Sequence, residues 1–133
     1  MAHVSDPAFR SFHALRIKGF AKSEVVAEVA ALPHDEVESH LRDLLARELA
    51  AFREARGLWQ LTPAGREAHQ EALAADMAAA DIGDALHGDY TVFLEINEAF
   101  KALCGDWQLK GGAPNDHSDA AYDAAVIARL VDL

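Results

Sequence analysis

Asp116, His117, Asp119 and Asp123 fall within eight residues, with Asn115 beside them, and form the densest group of side chains able to ligate a cation. Zinc favours nitrogen and sulfur ligands, and a calcium loop needs oxygens alternating over a longer stretch around a glycine. Capping of a following helix by Asp116 or Ser118, with the other carboxylates in solvent, accounts for the same residues, so no metal is expected. Cys104, with His117 as a base, would need a third orienting group in an electropositive setting, and its surroundings are acidic. It reads instead as a small apolar residue beside Phe100, Leu103 and Trp107. No glycine-rich phosphate loop follows a strand, no carboxylate pair stands out from the acidic background, and there is no nucleophile elbow. The expectation is a protein that is not an enzyme, with no catalytic residues and no cofactor.

The other chemistry on offer is that of cations. The chain has 133 residues and a net charge of −10, which argues against a polyanionic partner until the charge is divided along its length. Residues 1–70 hold 9 basic and 10 acidic side chains, whereas residues 71–133 hold 3 and 12. The acidity belongs to the second half, and local placement decides phosphate contact more than the total does. The composition, 51% hydrophobic and 26% charged, is that of an ordinary globular protein. The sequence lacks an apolar run long enough to span a bilayer, and Met1 to Pro7 lack the features of a secretory signal. A cytoplasmic protein without membrane contact is expected, and the single cysteine precludes an internal disulfide.

The elements that would position the cations can be read from spacing. Asp6-Pro7 starts a helix carrying Phe9, Phe12 and Leu15, which should end near Gly19-Phe20. Ser23 is expected to cap a short second helix with Val25, Val26, Val29 and Leu32 on one face, broken by Leu32-Pro33-His34. A third helix follows from about His34 to Glu48, with Val37, Leu41, Leu44, Leu45 and Leu49 as its buried stripe. Leu49 to Phe52 and Leu58 to Leu61 are strand-like runs around Arg53-Glu54-Ala55-Arg56-Gly57, a hairpin loop ending in glycine. Thr62-Pro63 then opens a fourth helix running to about Ala80. A short helix pair behind a leading helix is a helix-turn-helix pattern, and the hairpin supplies a wing.

The run from Ser23 to Glu67, ending in Trp59-Gln60-Leu61-Thr62-Pro63-Ala64-Gly65-Arg66, resembles the winged helix of MarR-type transcriptional regulators. The resemblance covers about the first half of the chain. It implies a homodimer on double-stranded DNA, with the third helix in a major groove and the wing beside the backbone. For such a fold, base edges are read from the exposed face of the third helix, and phosphates are met by cations around it. The candidates are His34, Ser39, His40, Arg42 and Arg47 on the helix, Arg53 and Arg56 on the wing, and Lys22 just before the second helix, with Lys18 nearby. Asp35, Glu36 and Glu38 at the start of the same helix oppose phosphate approach, although they also complement the helix dipole.

The expected architecture is mainly α: a winged helix-turn-helix of three helices and a two-stranded β wing over residues 1–70, then a helical dimerisation or regulatory region over residues 71–133. Gly83 and Gly88 are expected to interrupt that region. Asp89 would then cap a helix with Val92, Ile96, Phe100, Leu103 and Trp107 as an apolar stripe. Gln108 to Asp116 reads as a loop, and a last helix from about Ser118 carries Tyr122, Val126, Leu130 and Leu133 on one face. Tyr90, Phe93, Phe100, Trp107 and Tyr122 either line a pocket for a small-molecule effector, as regulators of this type often have, or form plain core or dimer interface. Three functions stay open: a DNA-binding transcriptional regulator; a winged-helix protein-interaction or regulatory module of a larger enzyme or complex without DNA binding; and, third in order, a small-molecule or metal-binding domain built on the C-terminal helices.

Overall fold

Residues 2–133 are described by a computed structural model. They divide into two compact units, the first ending at Ile82 and the second running from Gly83 to Leu133.

In the first unit, Asp6 caps α1 (Pro7–Lys18) by accepting from the Ala8 N–H, and Gly19 ends the helix at a positive φ of 76°. Next come β1 (Phe20–Ala21), α2 (Ser23–Ala30), α3 (His34–Ala46), β2 (Ala50–Arg53), β3 (Leu58–Leu61) and α4 (Pro63–Ala80). One face of each helix meets the others: Phe12 and Leu15 of α1, Val26 and Ala30 of α2, and Val37, Leu41 and Leu44 of α3 are buried together with Trp59 and Leu61 of the sheet. Each large apolar side chain so enclosed contributes about 1.5–3 kcal/mol. Leu45 and Val29, assigned to buried stripes from spacing, are instead largely exposed. A 3.6-residue period places them at the margin of each stripe, where neighbouring elements cover them only in part.

The wing is larger than the expected two strands. Its sheet has the order β1-β3-β2, with Phe20 opposite Gln60 and Ala21 opposite Trp59, while Phe52 faces Trp59 on the other side. A two-residue strand has no period of its own, so β1 exists through its partner alone.

The junction from wing to α4 rests on the Thr-Pro-Ala-Gly run. The Thr62 hydroxyl accepts from the Gly65 N–H at 3.0 Å and donates to the Glu48 carbonyl at 2.8 Å, and the Thr62 N–H donates to the Leu49 carbonyl at 3.0 Å. One residue thus caps α4 and ties it to the end of α3. Glu48 takes a positive φ of 60° to permit this.

The second unit holds α5 (Gly83–Gln108), a small hairpin of β4 (Leu109–Lys110) with β5 (Ala113–Pro114), and α6 (Ala120–Val131). Three expectations need correction here. The break before α5 lies at Asp81, in the left-handed region at φ 53°, so α5 starts at Gly83 and runs through Gly88. A single glycine weakens a helix without ending it. The stretch from Gln108 to Asp116 is a tight hairpin in which Gly111 and Gly112 both have positive φ. The cap of α6 is Asp119, which accepts from the Tyr122 N–H, and not Asp116 or Ser118. Asp116 instead holds Ser118, whose N–H and hydroxyl both donate to it.

Candidate nucleic-acid interface

The helix-turn-helix is set by contacts at its turn. Ala31 adopts the left-handed conformation at φ 53° and ends α2, with the Leu32 N–H returning to the Ala27 carbonyl. Arg10 of α1 reaches across to the freed end of α2 and donates to the carbonyls of Ala30 and Ala31 at 2.5 and 3.0 Å. A guanidinium at a helix C-terminus satisfies orphan carbonyls and complements the dipole. Ser23 does not cap α2 as expected: Lys22 holds the cap position without a side-chain bond. Ser23 is the first residue of the helix and is buried, and its hydroxyl meets His34 Nε2 at 2.8 Å. That bond links the start of α2 to the start of α3.

The outward ridge of α3 is formed by Asp35, Ser39, Arg42 and Ala46, all exposed and spaced by three or four residues. Arg42 lies 3.7 Å from Glu38, one turn back. His34 also approaches Glu38, at 3.4 Å, so one carboxylate serves both side chains. His40 is at the flank of the core: its Nε2 is enclosed without a hydrogen-bond partner, 3.6 Å from Glu36. Arg47 occupies the cap position after α3 and pairs with Asp43 at 3.5 Å. Of the candidates on this helix, Ser39 and Arg42 lie on the exposed ridge, His34 is exposed at the helix start with its ring held by Ser23, and His40 lies at the flank of the core.

Arg53 ends β2 and Arg56 stands in the hairpin turn, where Gly57 has a φ of 63° and donates to the Arg53 carbonyl at 2.8 Å. Both arginines are exposed. Between α2, α3 and the wing opens a cleft of about 600 Å³, lined by Lys22, Arg42 and Arg56 together with Glu24 and Glu38. Its floor is Leu45, Phe52 and Trp59, the two aromatic rings lying 4.9 Å apart. Cations from three separate elements therefore outnumber carboxylates here, although α3 by itself carries four carboxylates and one arginine. Sequence reasoning found the three cations but missed Glu24, Phe52 and Trp59. The hairpin register could have found the rings, because a four-residue turn between Arg53 and Leu58 places residues 52 and 59 opposite one another.

The fold is shared with solved proteins. A MarR-family transcriptional regulator from Silicibacter pomeroyi matches with a TM-score of 0.52 at 20% identity, over 74% of this chain and 71% of the other. NadR in complex with 4-hydroxyphenylacetate matches with a TM-score of 0.54 at 20% identity, over 78% of this chain and 80% of the other. Ligand-free NadR gives 0.52 at 20% identity, over 78% of each chain. The fold is the MarR-type winged helix. No family model and no curated protein matches the sequence.

The aromatic candidates for an effector pocket lie in the second unit. Tyr90 and Phe93 of α5 stack at 6.0 Å and are each more than half exposed. Phe100 and Trp107 are exposed as well, and of the expected stripe Val92, Ile96, Phe100, Leu103 and Trp107, Leu103 alone is buried. Within one chain the stripe is therefore not core, because α6 covers one side of a 26-residue helix. The Tyr122 hydroxyl donates to the carbonyls of Asp106 and Leu109 at 2.8 and 3.1 Å, which fixes α6 to the end of α5. His117 Nδ1 meets Asp123 at 3.0 Å, and Asn115 donates to the same carboxylate at 2.9 Å. Among the described residues no group of three or more His, Cys, Asp or Glu is placed to hold a metal ion. Among them, also, no helix is long and apolar enough to cross a membrane.

Proposed function

We propose that the chain is a DNA-binding transcriptional regulator that acts as a homodimer. The observation that carries this reading is the convergence of Lys22, Arg42 and Arg56 on one cleft beside the exposed ridge of α3. Cations from α2, α3 and the wing at one face suit two stretches of phosphate backbone, while Ser39 and Arg42 stand where base edges would be read. The MarR-type fold supports the same role. Pairing of two chains is supported by the exposed Tyr90, Phe93, Ile96 and Phe100 of α5, apolar surface that water leaves unsatisfied. A small aromatic acid as effector is suggested by NadR, which binds 4-hydroxyphenylacetate. Residence in the cytoplasm and the absence of catalysis are part of the same proposal.

Fluorescence anisotropy with mixed-sequence duplex DNA at two salt concentrations tests it. The wild type should bind more weakly as salt rises, and the Arg42→Ala, Arg56→Ala double variant, which removes two arginines from each protomer, should lower the log–log salt slope by about 2–4. Absence of binding at low salt, from protein shown to be folded, would overturn it. The four carboxylates of α3 favour a second reading, a winged helix used for protein interaction without DNA, and that outcome would leave it standing.

A further inference from the structure

His13 of α1 and His69 of α4 face one another across the packed helices, with His13 Nδ1 and His69 Nε2 2.9 Å apart and the rings within 7° of parallel. One ring N–H donates to the lone pair of the other. Phe9 stacks on both rings, at 5.5 Å from His13 and 6.1 Å from His69, and Phe12 meets His69 edge-on at 5.4 Å. His69 is 4% exposed.

A bridge of this kind has a fixed proton capacity. With both rings neutral, or with one extra proton on the pair, one nitrogen still offers a lone pair. With both rings cationic, two N–H groups point at each other and the bond is lost. Two adjacent charges, one of them on the buried His69 ring, also cost desolvation and repulsion.

The charged groups around the pair act unequally on the two rings. Arg16 of α1 adds a further positive charge, and burial, His13 and Arg16 together hold His69 below the ordinary histidine value. Asp76 of α4 is attracted to a protonated His13, which helps to hold the carboxylate below its ordinary value, so this carboxylate favours one charge on the pair but is not among the groups that act on His69. Its carboxylate is already engaged, by His3 Nε2 and by the Ser5 hydroxyl, each at 2.7 Å. From α2, α3 and β3, which also pack on α1, no charged group adds to the shift of His69.

We propose that the His13–His69 pair is a pH-sensitive latch between α1 and α4, closed while the two rings share a proton and opened when both are protonated. The contribution of His69 to stability is complete above the ordinary histidine value and is lost as pH falls from there through the lowered folded value, because the unfolded chain then binds the proton that the folded chain resists. The latch concerns the attachment of α4 inside the first unit, so it stands apart from the DNA reading.

The test compares the full chain with a His13→Asn, His69→Gln double variant, whose amides can make one hydrogen bond at the same two positions without titrating. Thermal unfolding between pH 7.5 and 5.0 should show the wild type losing several degrees more in Tm on acidification than the variant. Equal losses would overturn the proposal. NMR titration of the wild-type rings keeps it falsifiable if the variant fails to fold. His69 should titrate below the ordinary value of about 6.5, with the protection of α4 amides, relative to their intrinsic exchange rates, falling over the same range. Titration of His69 at the ordinary value, or unchanged protection in α4, would also overturn it.

Discussion

Gly65, in the first turn of α4, lies so close to the backbone of Leu49 that a β-carbon on residue 65 would stand 1.8 Å from the Leu49 carbonyl oxygen. Replacing a helical glycine by alanine ordinarily stabilises a helix by about 0.5–1 kcal/mol. Here the contact is backbone, which cannot rotate away, so the sign reverses. Gly65→Ala should destabilise the chain by about 1–3 kcal/mol, read as a lower denaturant midpoint at unchanged slope.

Thr62 makes the other half of that junction. Thr62→Ala removes both the cap of α4 and the bond to Glu48, for a loss of about 1–2 kcal/mol. Thr62→Ser keeps the hydroxyl and should restore most of the loss in the same unfolding assay.

Arg10 couples α1 to the turn of the helix-turn-helix through two carbonyls. Arg10→Ala should cost about 1.5–3 kcal/mol, as expected when a charged donor leaves two acceptors. Hydrogen exchange should quicken first at the end of α2, around Ala31 and Leu32. Protection that falls uniformly across the chain would contradict this assignment.

Glu38 is the carboxylate shared by His34 and Arg42 and it lines the cationic cleft. If the cleft meets phosphate, Glu38→Gln should tighten duplex binding several-fold at fixed salt, by freeing Arg42 and removing a repelling charge. Weaker binding by this variant would show that Glu38 positions Arg42 more than it opposes DNA.

Asp76 titrates below the ordinary carboxylate value because the His3 ring and the Ser5 hydroxyl bond to it. A depressed carboxylate contributes stability above its unfolded value and loses it as pH falls through the folded one. The segment before α1 should therefore detach from α4 below about pH 4. The His3 and Ser5 resonances would report this, and Asp76→Asn should show the detached shifts already at pH 7.

Local signals carried much of this protein. Asp6-Pro7 and Thr62-Pro63 start helices in the structure as they do in the sequence, and the stripe Val37, Leu41 and Leu44 is buried as its spacing implies. The hairpin ending in Gly57 and the run from Leu61 to Gly65 identify a winged helix, because capping, turn chemistry and helical period all act over a few residues. Lys22, Arg42 and Arg56 were visible as cations, but their shared cleft was not, since it depends on where α2, α3 and the wing meet. Tertiary packing decided the rest. It made a strand of Phe20–Ala21, turned Ser23 from a cap into the partner of His34, and placed His13 against His69 across 56 residues of sequence. It also left the α5 stripe largely exposed. Periodicity shows that a face is apolar, and only the arrangement of the other elements determines what covers it.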